Sequence, residues 1–198
     1  MPVYVLSVKK RRRKRRFEFV NLVEFDYMSL NLLRQRPFLW CIFGLSALWG
    51  ACLDLVTKSI IFKKLTSQEM SELGQYDLIT GVLGLKLTYN TGIIWGLFQG
   101  NNFIFLAISM LAVPLIVLIW VLVREPHWLM SLGLGLILAG TLGNLYDRLF
   151  CEGVRDFIDF YLINWPIFNL ADTWITLGVV LILGHMFFGQ QKEIADAS

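Results

Sequence analysis

Charge is scarce in this chain. Only 17% of its 198 residues are Asp, Glu, Lys or Arg, while 56% are hydrophobic. Soluble domains carry about 25% charged and about 45–50% apolar residues. With long uncharged runs as well, the composition excludes a water-soluble globular domain and points to an integral membrane protein. Histidine is nearly absent: His127 and His185 stand singly near the ends of apolar runs. The three cysteines are Cys41 and Cys52, within an apolar segment, and Cys151, in an expected loop. No CxxC and no HExxH occurs, so neither a zinc site nor a disulfide framework is indicated. A Gly-rich phosphate loop and a Ser/His pair are also missing. Ser109 and Ser131 lie away from the polar residues described below, which places Ser-Lys chemistry poorly. No metal and no cofactor is expected.

The net charge of +3 arises in one place, the unbroken basic run KKRRRKRR at 9–16. Such a run suits nucleic acid, but beside a membrane span it suits a cytoplasmic anchor better, because Lys and Arg accumulate on the inner side. Nucleic-acid binding is therefore not expected. Residues 1–36 do not read as a cleavable signal peptide, since the first apolar run begins late and no A-x-A site follows it. Met28 opens MSLNLLRQRPFLW, an ordinary beginning just before a span, so residues 1–27 are expected to be a dispensable extension or a misassigned start.

The apolar runs predict four membrane spans. A helix needs about 20 apolar residues to cross the hydrocarbon core. The first span is expected from 37 to about 62, with Asp54 and Lys58 four apart on one face. These two are either a self-neutralising ion pair near the membrane edge or direct substrate contacts. Residues 63–101 form a mixed insert. Its second half, LKLTYNTGIIWGLFQ, suits short strands or an amphipathic flap lying on the membrane. Asn90 within it reads as a plain turn residue or a site residue. The second span covers 102–123, and 124–127 is a tight polar turn. The third span runs from 128 to about 146, with Gly133, Gly140, Asn144 and Asp147 roughly on one face, where small residues admit a neighbouring helix. Residues 147–168 are expected as a connecting loop. The fourth span begins at Asn169 or Asp172 and ends near 188, leaving a polar tail at 190–198. The domain plan is a basic cytoplasmic extension (1–36), a four-helix transmembrane unit (37–189) and a cytoplasmic tail. No internal repeat is visible.

With the basic N-terminus inside, four spans return the C-terminus to the inside. The outer ends then carry Asp54 and Lys58, Asn90, Asn144 with Asp147 and Arg148, and Asn169 with Asp172. Almost every polar group of interest falls at one depth, where chance would scatter them. Intramembrane polar groups are costly and mark function by default. The available groups are carboxylates, amides, one Arg and one Lys, which leaves acid–base work by paired carboxylates. Two such groups a few ångströms apart share a proton. Asp54, Asp147, Asp156, Asp159 and Asp172 compete for the two places. Asp147 adjoins Arg148 and reads also as its partner. Asp156 and Asp159 point in different directions whether the loop is extended or helical. Asp172 reads also as a helix cap, a task Asn169 could take instead.

Five stretches together are similar to lipoprotein signal peptidase, also called signal peptidase II. They are Asp54-x-x-x-Lys58, Asn90-Thr91-Gly92, Gly143-Asn144-x-x-Asp147-Arg148, Val154-Arg155-Asp156-Phe157 and Phe168-Asn169-Leu170-Ala171-Asp172. The resemblance runs from about 37 to 189. It implies an aspartic peptidase of the bacterial inner membrane that cuts prolipoproteins just before a lipid-modified cysteine. It implies an all-α membrane fold of four transmembrane helices with a small extracytoplasmic β-rich cradle. It further implies that Asp156 and Asp172 are the catalytic pair, and that Asn90, Asn144, Arg148 and Asn169 line the site and hold substrate. Asp54, Lys58, Gly92 and Asp147 would support them. The implied partners are lipid-modified prolipoproteins and membrane lipids, and nothing demands more than a monomer. The chain departs from the family pattern at Leu55, usually Gln, and at Ile93, Ile94 and Trp95, where small residues and Phe are usual. The rival reading is an ion- or proton-coupled transporter or channel. Those place their sites near the midplane between internal repeats, unlike the edge cluster here.

Overall fold

The computed structural model describes residues 37–66, 75–92, 102–123 and 127–196. Four helices dominate it: α1 (Pro37–Leu65), α2 (Asn102–Leu122), α3 (Trp128–Phe150) and α4 (Leu170–Asp196). Each contains a stretch long and apolar enough to cross a membrane. Among the described residues three strands, β1 (Tyr76–Ile79), β2 (Leu83–Asn90) and β3 (Val154–Asp159), accompany them. The protein is thus mostly helical with one small sheet.

α3 is the helix the others gather around. Of its apolar stretch 56% is buried, against 28%, 11% and 11% for the other three. Its glycines explain the close approach. A Cβ at Gly140 would collide with the carbonyl of Ala171 on α4, and one at Gly143 with the carboxylate of Asp54 on α1. Lipid tails are as apolar as Leu, so helices in a bilayer associate through such small-residue contacts and interhelical hydrogen bonds. One such bond runs from Trp174 Nε1 on α4 to the carbonyl of Gly50 on α1, at 3.1 Å. Toward the other end, Phe43 stacks on Trp120 at 5.2 Å between ring centroids. They form a core with Ala47, Ile116, Leu134 and Leu138. His127 caps α3, its Nδ1 accepting from Leu129 N at 3.3 Å.

The sheet is antiparallel in the order β1-β2-β3. β2 arises where the β-branched and aromatic insert was expected to be extended, while β1 arises in the polar half. Ile93, Ile94 and Trp95 lie outside the described residues. The 147–168 stretch is not a simple connecting loop. α3 continues to Phe150, β3 follows, and a single 3-10 turn occupies Tyr161–Ile163. β3 is held on both edges. Gly84 faces Asp159 and Asn90 faces Val154 across one edge. On the other, Phe157 N and Ile158 N donate to the carbonyl of Phe168 at 3.1 and 2.8 Å. The chain folds back through Asn164, which adopts the left-handed conformation at φ 51°, one that Asn tolerates better than most residues. Leu170 is thereby delivered beside β3 to begin α4, which remains helical to Asp196 through the stretch expected as a tail.

Candidate active site

Five elements meet where α3 ends, β3 begins and α4 starts. α1 contributes Asp54 and Lys58, β2 ends on Asn90, α3 brings Asn144, Asp147 and Arg148, β3 carries Arg155 and Asp156, and α4 is entered through Asn169 and Asp172. Asn144 and Arg148 are one helical turn apart, with Asp147 between them.

The entrance to α4 is a reciprocal cap. Asn169 Oδ1 accepts from Asp172 N at 3.1 Å, and Asp172 Oδ2 accepts from Asn169 N at 3.2 Å. This is the logic of a capping box, in which two orphan N–H groups are satisfied at once. The cap reading of Asp172 is thus what the hydrogen bonds show. One carboxylate oxygen serves the cap, and the other, Oδ1, accepts from Asn144 Nδ2 at 2.9 Å.

Asp156 is 1% exposed. Its Oδ1 accepts from Asn169 Nδ2 at 2.6 Å and its Oδ2 from Asn90 Nδ2 at 3.0 Å. Asn90 also makes a turn, its Oδ1 accepting from Gly92 N at 3.0 Å, so the same side chain both turns the chain and reaches Asp156. Asn169 Nδ2 reaches Asn144 Oδ1 at 3.2 Å as well. Asp156 and Asp172 are thus joined through two amides. Burial, and then the neighbouring charge of Asp172, push the Asp156 carboxyl up to about 7. Asp159 falls on the opposite face of β3 by the alternation of a strand and is not part of this group.

A second network lies beneath. Lys58 is fully buried and its Nζ meets Asp54 Oδ2 at 2.7 Å, Asp147 Oδ2 at 3.1 Å and Asn144 Oδ1 at 3.1 Å. Asp54 Oδ1 accepts from Ala171 N at 2.9 Å, tying α1 to the first turn of α4. The Asp54–Lys58 pair is therefore an interior junction of three helices. Asp147 does not pair with Arg148, its sequence neighbour. Its Oδ1 accepts from Arg155 Nη2 and Nε at 2.7 and 3.0 Å, and its Oδ2 from Arg155 N at 2.9 Å. A helical residue projects sideways, so the partner across the turn is better placed than the next residue along. Arg148 instead lies over the Phe105 ring at 5.9 Å, with only long contacts to Asn144 O and Ser109 Oγ, both 3.4 Å.

Arg155 is part of its motif in the sequence but is given no role there. The one available signal was a lone basic residue directly before Asp156 in an otherwise apolar stretch. Among the described residues, no group of three or more His, Cys, Asp or Glu side chains could hold a metal ion. What the arrangement offers is two carboxylates whose four oxygens all accept hydrogen bonds, linked to each other through Asn169 and Asn144.

Residues 46–188 match the family model described as signal peptidase (SPase) II. The lipoprotein signal peptidase of Desulforapulum autotrophicum is 35% identical over 149 residues, covering 72% of this chain and 89% of that protein. That of Geobacillus thermodenitrificans is 37% identical over 118 residues, covering 59% of this chain and 74% of its own. A bacterial membrane enzyme solved by the in meso method at 2.3 Å superposes with a TM-score of 0.65 at 29% identity, covering 75% of this chain and 88% of that one. A second, solved at 1.9 Å, gives 0.61 at 31% identity, covering 72% and 90%.

Proposed function

The chain belongs to the signal peptidase II family, a family of bacterial membrane proteases, and we propose that it cuts prolipoproteins by aspartic chemistry just before the diacylglyceryl-modified Cys. The observation that carries this reading is the pairing of Asp156, on a strand, with Asp172, on a helix, through Asn169 and Asn144. The pair holds one proton. Its ionised member takes a proton from a water molecule, and the hydroxide so formed adds to the scissile carbonyl. Its protonated member polarises that carbonyl and then protonates the departing amine. Arg148 and the three amides hold substrate backbone. The site stands at the outer face of the bilayer, where a signal helix presents its cleavage point, and both termini stay in the cytoplasm. The enzyme works as a monomer.

The direct test is cleavage of a diacylglyceryl-modified prolipoprotein by the purified protein in detergent. Cleavage before the modified Cys, and none of the unmodified precursor, is the expected result. No cleavage of the modified substrate would sink the reading.

The pH dependence has a definite sign. Burial holds the proton on Asp156 up to about 7. Below that value the pair keeps its one shared proton, and as pH rises through it the acid is lost. The rate should therefore fall on the alkaline side with a limb near pH 7, which belongs to the pair rather than to one residue. A flat profile from pH 6 to 9 would contradict proton sharing.

A further inference from the structure

All four carboxylate oxygens of the pair accept hydrogen bonds. Asp156 takes Asn169 and Asn90 side-chain N–H groups, and Asp172 takes the Asn144 side chain and the Asn169 backbone. An amide can present either its NH₂ or its carbonyl, so something must fix which end faces the pair. For Asn90 and Asn169 it is a backbone N–H, of Gly92 and of Asp172 respectively, holding the carbonyl away. Asn144 is different. Its Oδ1 takes Lys58 Nζ at 3.1 Å and Asn169 Nδ2 at 3.2 Å, and Asn169 Nδ2 makes its shorter bond, 2.6 Å, to Asp156.

We propose that Lys58 is a positioning residue of the reaction, whose ammonium holds the Asn144 carbonyl so that the Asn144 NH₂ is turned on Asp172. This deepens the peptidase reading and rests on it. Flipping the Asn144 amide would set its NH₂ against an ammonium that has only donors, and its carbonyl against the Asp172 carboxylate. Both contacts are repulsive. Lys58 can hold this post because Asp54 and Asp147 flank its head on the far side, fixing it in a fully buried position. Among the described residues, the charged groups around the pair are Lys58 and Asp54 from α1, Asp147 and Arg148 from α3, and Arg155 from β3. Of these cations, only Lys58 bonds to a side-chain amide that faces the pair.

A bland alternative makes Lys58 a charge partner for Asp54 and no more. A double-mutant cycle separates the two, using the full chain in detergent and the modified prolipoprotein as substrate. Asp54→Asn with Lys58→Met removes that pair together and leaves Asp147 with Arg155. The expected result is a folded protein with kcat down about a hundredfold, the size of losing one preorganised donor, and KM nearly unchanged. Added to Asn144→Ala, the same change should cost almost nothing further, because the two act as one unit. Thermal unfolding reports the fold of each variant. If the Met variant unfolds, Lys58→Gln takes its place in the cycle. Wild-type kcat in the double variant would overturn the proposal, as would a loss carried by KM rather than kcat, or losses that simply add to those of Asn144→Ala. A wild-type protein that does not cleave would overturn the peptidase reading along with it.

Discussion

Asp172→Asn is expected to lower kcat for the modified prolipoprotein by at least about a thousandfold, within the range general acid–base groups supply, and Asp156→Asn to do the same. The argument is about protons, not shape. An Asn is nearly the size of an Asp but cannot take a proton from water or return one to an amine. Each substitution also has a structural side. Both oxygens of each carboxylate accept hydrogen bonds, so the new NH₂ must face a donor, which costs about 1–3 kcal/mol. A modest fall in thermal stability should therefore accompany the loss of rate. The fall in stability alone cannot account for it, because the folded fraction can be measured and the rate corrected. The competing role of Asp172 is the α4 cap it shares with Asn169. Were the cap its whole role, Asp172→Asn would keep most of the activity, and the aspartic reading of the pair would fall.

The four helices were legible because uncharged runs of about 20 residues have few other uses. The clustering of polar groups was legible too, since reading the chain as alternating spans puts them at one end. β3 was not. Val154–Asp159 has two carboxylates and an arginine in six residues and no hairpin turn nearby. It is extended because β2, some 70 residues earlier, pairs with one edge and Phe168 closes the other. Asp147 shows the same limit at the level of one side chain. Adjacent charges in sequence suggest a pair, yet its partners are Lys58 on another helix and Arg155 across a turn. Asp54 and Lys58 were recognisable as an i,i+4 pair, but the third bond of Lys58, to Asn144, spans 86 residues and leaves no local trace. The motifs marked residues that the fold brings together, and long-range packing decided what each one touches.

Asp147→Ala is expected to be the most destabilising single change near the site, at about 3–5 kcal/mol, as is usual when one partner of a buried ion pair is removed. Asp147 is fully buried and answers two cations, Lys58 at 3.1 Å and Arg155 at 2.7 Å. Alanine would leave the Arg155 guanidinium beside apolar surroundings without an anion and Lys58 with Asp54 alone. Arg155→Leu should cost much less. There Asp147 keeps Lys58 and the Arg155 backbone N–H, and only an edge cation at 12% exposure is lost. The asymmetry matters for function because Asp147 Oδ2 also pins the backbone of β3 one residue before Asp156. Asp147→Ala should therefore reduce kcat even in the fraction that stays folded, although Asp147 touches neither member of the pair. Thermal unfolding of the two variants in the same detergent gives the comparison. Asp147→Ala within about 1 kcal/mol of wild type, against the 3–5 kcal/mol of a broken buried pair, would mean that β3 is held by its strand partners alone. The ion network beneath the pair would then be a passenger of the fold rather than its anchor.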